Sequence, residues 1–226
     1  MEHSNELLNT FFSWSFENKI NEKMFFRAYI FPEQEVIDYI SSLIQIDLVE
    51  FIEYIRKHLS VSYIESSDII QFSSLIDSTD RIAAIIDDKG DTGFTFLELG
   101  KLLLNDGIVR NDTAYRKYGE NHTKTAQEFG ITQLLYSKTY LTCIGKVMSH
   151  LSDADRNSIL RRLILRNKYF MLIVIVSSKE SISLESQMGL LSESTQRRRL
   201  SNIRKVWRFI LSENDRIRES LSNVTL

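Results

Sequence analysis

The sequence predicts a mainly α fold with short β-hairpins, in which a helical N-terminal domain precedes two winged-helix-like modules. The 226-residue chain has one proline and eight glycines, and this scarcity favours helices joined by short connections. Apolar residues recur at helical spacing through most of the chain, and one central stretch has the pattern of a hairpin. We place an acidic, mostly helical domain at residues 1–92, the first module at 93–155 and the second at 156–226.

Capping patterns place the helices of the N-terminal domain. Pro32 begins one helix, and Asp47 with Glu50 three residues later has capping-box spacing and begins the next. Ser78 is predicted to cap a helix that ends at Ile86. The apolar run at residues 24–31 fits either a strand or a buried helix, since periodicity cannot separate them.

Two extended or irregular stretches complete the N-terminal domain. Residues 61–65 alternate in polarity and are predicted to form a short strand. Residues 87–93, DDKGDTG, concentrate charge and glycine and mark the boundary with the first module.

The first module is predicted to contain three helices. Thr95 and Glu98 form a second capping-box spacing, which begins a helix that ends at Leu104. A short helix at residues 115–118 is expected to end at Gly119. A further helix is predicted over residues 122–129, with Gly130 ending it.

A hairpin and another helix are predicted to follow. Its arms are residues 131–136 and 140–142, joined by a three-residue loop, and Thr142 then caps the helix. Helices followed by a hairpin and a further helix are typical of a winged helix-turn-helix.

Three strings resemble winged helix-turn-helix modules of bacterial restriction-associated proteins and transcription regulators. They are YLTCIGKVMSHLS at 140–152, ELGKLL followed by KYGENHTKTAQEFGI, and LSESTQRRRLSNIRKVWRFI at 191–210. The first is one residue shorter than the family pattern between Tyr140 and Leu141. The resemblance covers residues 93–212, and it implies a DNA-binding fold with a regulatory or restriction and defence role.

Charge is divided unevenly along the chain. Residues 1–110 hold 9 Lys and Arg against 19 Asp and Glu, whereas residues 111–226 hold 19 against 11. A basic half of net charge +8 beside an acidic half of −10 indicates a polyanion-binding region, and double-stranded DNA is the expected partner. The alternative is that the basic surface pairs with the acidic half.

Two segments are predicted to contact DNA. In the first, polar residues at the start of the helix at 122–129 are expected to be exposed for base edges, with Ala126 and Phe129 facing inward. Its contact residues are His122, Thr123, Lys124, Thr125 and Gln127, with Arg116 and Lys117 holding the backbone. The second is an amphipathic helix capped by Ser192 or Ser194. Its contact residues are Arg197, Arg198, Arg204, Lys205 and Arg208.

No catalytic or cofactor motif is found. The four histidines lack ligand spacing, the single Cys143 forbids an internal disulfide, and no phosphate-binding glycine loop occurs. A nuclease with its site in residues 1–92 remains an alternative, with an acidic cluster at Asp87, Asp88, Glu98 and Lys101. A Cys143–His150 catalytic pair is weaker, because Cys143 has apolar neighbours.

We therefore expect a non-enzymatic, cytoplasmic DNA-binding protein that uses no cofactor or metal and contacts no membrane. Its N-terminal residues lack the pattern of a signal peptide, and the apolar run at residues 169–176 is too short to span a bilayer. The alternative is an interaction or assembly subunit, which binds a second copy or a partner from a restriction or defence system.

Overall fold

A computed structural model describes residues 2–13, 34–69, 71, 73–90 and 92–226. Its contacts form two compact units: residues 1–14, 42–71 and 157–226 make the first, and residues 15–41 and 72–156 make the second. The predicted boundary at 155/156 falls one residue from the division at 156/157, whereas residues 1–92 are shared between the units. The apolar run at 24–31 lies outside the described residues.

The described part of the chain is mainly helical, as the sequence predicts. Its α-helices are α1 (Glu2–Ser13), α2 (Gln34–Gln45), α3 (Leu48–His58), α4 (Ile82–Asp88), α5 (Phe96–Leu103), α6 (Asp112–Glu128), α7 (Cys143–His150), α8 (Asp153–Leu165), α9 (Lys168–Ser177), α10 (Glu193–Leu211) and α11 (Asp215–Ser220). Its strands are β1 (Thr132–Leu135), β2 (Lys138–Leu141), β3 (Ile182–Ser183) and β4 (Val224–Thr225). A π-helical turn, Ile76–Arg81, leads into α4, and a 3-10 turn covers Ser186–Met188.

Aromatic side chains form the core of the first unit. Phe11 of α1 meets Phe51 of α3 edge to face at 5.7 Å, and Phe170 of α9 stacks on Trp207 of α10 at 6.1 Å. All four rings are fully buried. Because a buried aromatic ring removes a large apolar area from water, Trp207 fixes α10 against α9.

The strands of the first unit do not form the hairpin that a winged-helix-like module at 156–226 would need. Strands β3 and β4 pair in parallel over two residues each, and residues 156–226 are all described. Residues 61–65 form no regular secondary structure, so the predicted short strand is wrong. Asp47 caps α3 by accepting a hydrogen bond from the amide of Val49 at 2.7 Å.

The first helical elements of residues 72–156, in the second unit, are the π-helical turn and α4. The predicted cap at Ser78 is wrong, because this residue lies inside the π-helical turn and is fully buried. Its neighbour Asp77 accepts hydrogen bonds from Arg81 at 2.7 Å and from the hydroxyl of Tyr118 at 2.9 Å. The bond from Tyr118 attaches the turn to α6.

Helices α5 and α6 touch backbone to backbone where each carries a glycine. A Cβ atom on Gly100 would lie 1.8 Å from the carbonyl oxygen of Tyr115, and one on Gly119 would lie 2.0 Å from that of Phe96. Such an approach leaves no room for a side chain. Gly119 therefore serves the helix contact, and the prediction that it ends a helix is wrong.

Helix α6 is one continuous helix where two are predicted. Asn111 caps it by accepting a hydrogen bond from the amide of Ala114 at 2.8 Å. The predicted stop at Gly130 is confirmed by its φ of +69°. The amide of Ile131 donates to the carbonyl oxygen of Ala126 at 2.9 Å, which is the pattern of a Schellman motif.

The predicted hairpin and the helices around it are present. Tyr136 and Ser137, with φ of +49° and +63°, form a two-residue turn between β1 and β2 in place of the predicted three-residue loop. Two left-handed residues are the requirement of a type I′ turn. Phe94 pairs with Thr139 on the other edge of β2. The predicted caps Thr95 of α5 and Thr142 of α7 are confirmed.

Replacing Gly119 by alanine is expected to destabilise the protein by about 2–3 kcal/mol, because the new Cβ would overlap the backbone of α5. Urea denaturation followed by far-UV circular dichroism measures the effect. Gly189→Ala is the matched control, because no heavy atom lies within 4 Å of its Cβ position. Equal stability of the two variants would contradict the proposed helix contact.

Candidate nucleic-acid interface

Three side chains predicted to face DNA from α6 are buried in the second unit. His122, Thr123 and Thr125 are 6%, 1% and 0% exposed, so their predicted exposure is wrong. The predicted burial of Ala126 and Phe129 is confirmed. Helix α6 begins at residue 112 and continues past its contact with α5 at Gly119. Its buried residues therefore pack against α5, the π-helical turn and β1.

Hydrogen bonds hold two of the buried polar side chains of α6, those of His122 and Thr125. The Nδ1 of His122 donates to the carbonyl oxygen of Tyr118 at 2.8 Å, and its Nε2 lies 3.7 Å from the carboxylate of Asp77. The hydroxyl of Thr125 accepts a hydrogen bond from the amide of Ser73 at 3.0 Å. These polar side chains therefore stabilise the interior of the second unit and are not available to a ligand.

The exposed side of α6 keeps three of the predicted cations. Arg116 is exposed and bonds to no described residue, whereas Lys117 and Lys124 bind Glu120 at 3.1 and 2.6 Å. The hydrogen bonds from Lys124 and Lys117 lower the pKa of Glu120, which keeps its carboxylate charged. Gln127 is half-buried. Glu120 therefore offsets one of the three positive charges on this side of the helix.

Helix α10 has the predicted division into a buried and an exposed side. Its buried residues, all between 0% and 7% exposed, are Leu200, Ile203, Val206, Trp207 and Ile210. Its exposed residues recur every three to four positions along the whole helix: 193, 194, 197, 198, 201, 205 and 208. No element of the first unit that the structure describes therefore crosses this side. Ser192 occupies the N-cap position, although its side chain makes no capping bond.

We call the exposed residues Arg197, Arg198, Ser201, Lys205 and Arg208, together with the half-buried Arg204, the basic strip. Arg197 lies 3.4 Å from Glu193, and both side chains are more than 80% exposed, so water screens this ion pair. The other four cations make no hydrogen bond or ion pair with any described residue. The strip therefore holds charge that no intramolecular partner neutralises.

Other arginines of the basic half are bonded inside the first unit. Arg162, which is 2% exposed, donates to the carbonyl oxygens of Ser158, Ile44 and Ile46. Burial lowers the pKa of its guanidinium to about 10, so it stays charged at neutral pH. A cation at the carbonyl end of α2 also complements the helix dipole.

Arg161 and Arg199 have similar structural roles. Arg161 pairs with Glu213 at 2.5 Å, and Arg199 donates to the carbonyl oxygens of Ser66 and Ile69. Part of the positive charge of residues 111–226 is therefore bound within the first unit. The excess charge that remains is concentrated on the basic strip.

The acidic cluster considered for a nuclease is divided among structural contacts. Glu98 completes the cap of α5, Asp87 accepts a hydrogen bond from Ser149 at 3.1 Å and pairs with Lys146, and Lys101 pairs with another carboxylate, that of Asp112. Among the described residues, no group of three or more His, Cys, Asp or Glu side chains could hold a metal ion.

The candidate pair Cys143 and His150 occupies opposite ends of α7. Seven residue steps along the helix separate their backbones by about 10 Å along the axis. His150 instead lies 3.2 Å from the carboxylate of Asp87.

Comparison with known proteins finds no matching family model, curated protein or solved structure. Within the described ranges, no helix is both long and apolar enough to cross a membrane.

The loop between α5 and α6 carries two exposed apolar side chains that the sequence analysis did not identify. Ile108 and Val109 at its tip are 59% and 93% exposed. Arg110 binds the carboxylate of Asp106 through two bonds of 2.7 Å, and the hydroxyl of Tyr115 donates to the carbonyl oxygen of Ile108 at 3.2 Å. The Asp–Arg spacing beside a glycine is the feature that could have indicated this loop.

The stability of the protein is expected to fall as the pH decreases through the ordinary His122 pKa of 6.5. Burial lowers the pKa of His122, outweighing the opposite effect of its hydrogen bond to Tyr118 and of Asp77. The unfolded chain therefore takes up the proton first, and stability present above that pH is lost below it.

Urea denaturation at several pH values, with wild type and His122→Asn, measures this dependence. The asparagine variant should show a flatter decline, with a difference in slope of at most about 1.4 kcal/mol per pH unit. Identical slopes for the two proteins would show that His122 does not contribute.

Proposed function

We propose that this chain is a non-enzymatic protein that binds double-stranded DNA, with the basic strip of α10 as its principal contact. The observation that carries the proposal is a row of cations that are fixed on one helix, left to solvent and not neutralised. Double-stranded DNA is a dense polyanion, and its condensed counterions are released when such cations bind the phosphates.

The composition of α10 also supports phosphate binding. No acidic residue occurs between Glu193 and Glu213, and four of the five strip cations are arginines. A guanidinium can bind two phosphate oxygens at once, which favours phosphate over a single carboxylate contact in water. The buried Trp207 holds the helix in place, so less freedom is lost on binding.

We propose that the second unit is a winged-helix module. One support is the order of elements along the chain: the π-helical turn with α4, the strand-like residue Phe94 paired with β2, then α5, α6 and the hairpin. A second support is the close contact between α5 and α6. The second of two such helices enters the major groove with its N-terminal end. The residues that face the bases would then be Thr113, Arg116 and Lys117. They precede residues 122–129, the segment for which the sequence analysis predicted this role.

The resemblance of residues 93–212 to restriction-associated proteins and regulators favours a role in transcription regulation or in a restriction and defence system. DNA binding by both units is compatible with either role.

Fluorescence anisotropy with a labelled duplex of about 20 base pairs tests the proposal. The logarithm of the association constant should fall with the logarithm of the salt concentration with a slope of about −4 to −5, for five released counterions. Reversing two charges, with Arg204→Glu and Arg208→Glu together, should abolish binding at moderate salt while the circular dichroism spectrum is unchanged.

The charge-matched control is Arg216→Glu with Arg218→Glu on α11. These arginines are exposed and already paired, with Asp47 at 2.8 Å and with Asp215. The control variant should keep its affinity within about twofold, since no strip contact is removed. Failure of the wild type to bind at low salt, or equal losses in both double variants, would contradict the proposal.

The loop tip supports a second function, which is protein association. Ile108 and Val109 are adjacent and exposed, and the bonds around them fix the loop, so these side chains would lose little freedom on binding a partner. Two side chains cover far less than the roughly 800 Å² per partner of a stable interface, so self-association through the tip should be weak.

Light scattering at low and high salt separates the two kinds of association. A dimer that forms through the tip should persist at high salt and be lost in Val109→Asp. A dimer in which the basic strip binds an acidic surface should dissociate at high salt. A concentration-independent monomer mass under both conditions would exclude self-association as the second function.

A further inference from the structure

The cations of the basic strip form two rows along α10. With about 100° of rotation per residue, Arg197, Arg204 and Arg208 lie within about 40° of one another and make the first row. Arg198 and Lys205 make the second row, about 80° to 100° from Arg197. The strip therefore presents positive charge on both of its edges.

A short side chain lies between the two rows. Ser201 is exposed and lies about 40° from Arg197, at the middle of the exposed arc. A helix that followed a single phosphate strand would need its cations along the centre of the arc. Here the long cationic side chains lie on either side of the short Ser201, an arrangement that suits a ligand with two phosphate backbones.

The dimensions of the helix match such a ligand. The major groove of B-form DNA is about 12 Å wide, and an α-helix with side chains is about 10–12 Å across. From Arg197 to Arg208 the strip extends about 16 Å along the axis, which is close to half a turn of DNA. The apolar side of α10 packs on the first unit, and its exposed residues span about 140° of its circumference, roughly two-fifths.

We infer that α10 lies lengthwise in the major groove, with its two rows of cations on the phosphates of opposite strands and Ser201 against the base edges. This inference rests on the proposed DNA binding and adds the groove and the orientation. A serine hydroxyl both donates and accepts hydrogen bonds, and it contacts several bases with little selectivity. The arrangement therefore gives α10 strong affinity and weak sequence preference.

Disulfide cross-linking tests the groove directly. Ser201→Cys in a Cys143→Ala background provides one thiol, and the duplex carries a cystamine tether on cytosine N4 in the major groove or on guanine N2 in the minor groove. The protein thiolate attacks the tether disulfide, a protein–DNA disulfide forms, and cysteamine leaves as the thiol. Ser178→Cys in the same background is the control, because Ser178 is exposed at the end of α9.

Anisotropy on both duplexes, measured beside the cross-linking, separates the inference from the proposed function. Ser201→Cys should give at least about tenfold more product with the major-groove tether than with the minor-groove tether, and Ser178→Cys should give little with either. Binding without this preference would overturn the major-groove position and leave DNA binding intact. Absence of binding by the Cys143→Ala protein with Ser201 retained would overturn both.

Discussion

A buried guanidinium must find hydrogen-bond acceptors, and this constraint organises the first unit. Arg162 donates to carbonyl oxygens at the end of α2 and Arg56 to those of Val174 and Ser220. Arg199 donates to those of Ser66 and Ile69. Each bond joins segments that are far apart in the sequence. The helices that carry these arginines are thereby fixed in place, α10 among them, and the opposite side of α10 is left to solvent.

The same constraint divides the positive charge of residues 111–226 into two populations. Arginines that reach carbonyl oxygens or a close carboxylate stabilise the unit, and removing one leaves acceptors unpaired in a buried site. The cations of the basic strip have no buried partner, and among them only Arg197 pairs with a carboxylate, that of the exposed Glu193, so they are available to a polyanion. A net charge computed from the sequence adds both populations together, and it overstates the charge that an external ligand meets.

The two sides of α10 could be predicted from the sequence because helical periodicity alone determines them. The same holds for the caps at Thr95 and Thr142, which depend on residues three positions away. The role of Gly119 could not be predicted in this way. A glycine that ends a helix and a glycine that allows close contact with another helix give the same local sequence pattern, and only the packing against Gly100 on α5 distinguishes them. The burial of His122 likewise depends on Asp77, which is 45 residues distant and lies in an unpredicted π-helical turn.

Chemical modification of arginine by phenylglyoxal, read residue by residue by mass spectrometry, tests the division of charge most directly. Without DNA, Arg198, Arg204 and Arg208 should react, whereas Arg162 should not, because it is 2% exposed. Saturating duplex should protect the three strip arginines and leave Arg216 and Arg218 as reactive as before. Equal reactivity of the strip arginines with and without bound duplex would contradict the account.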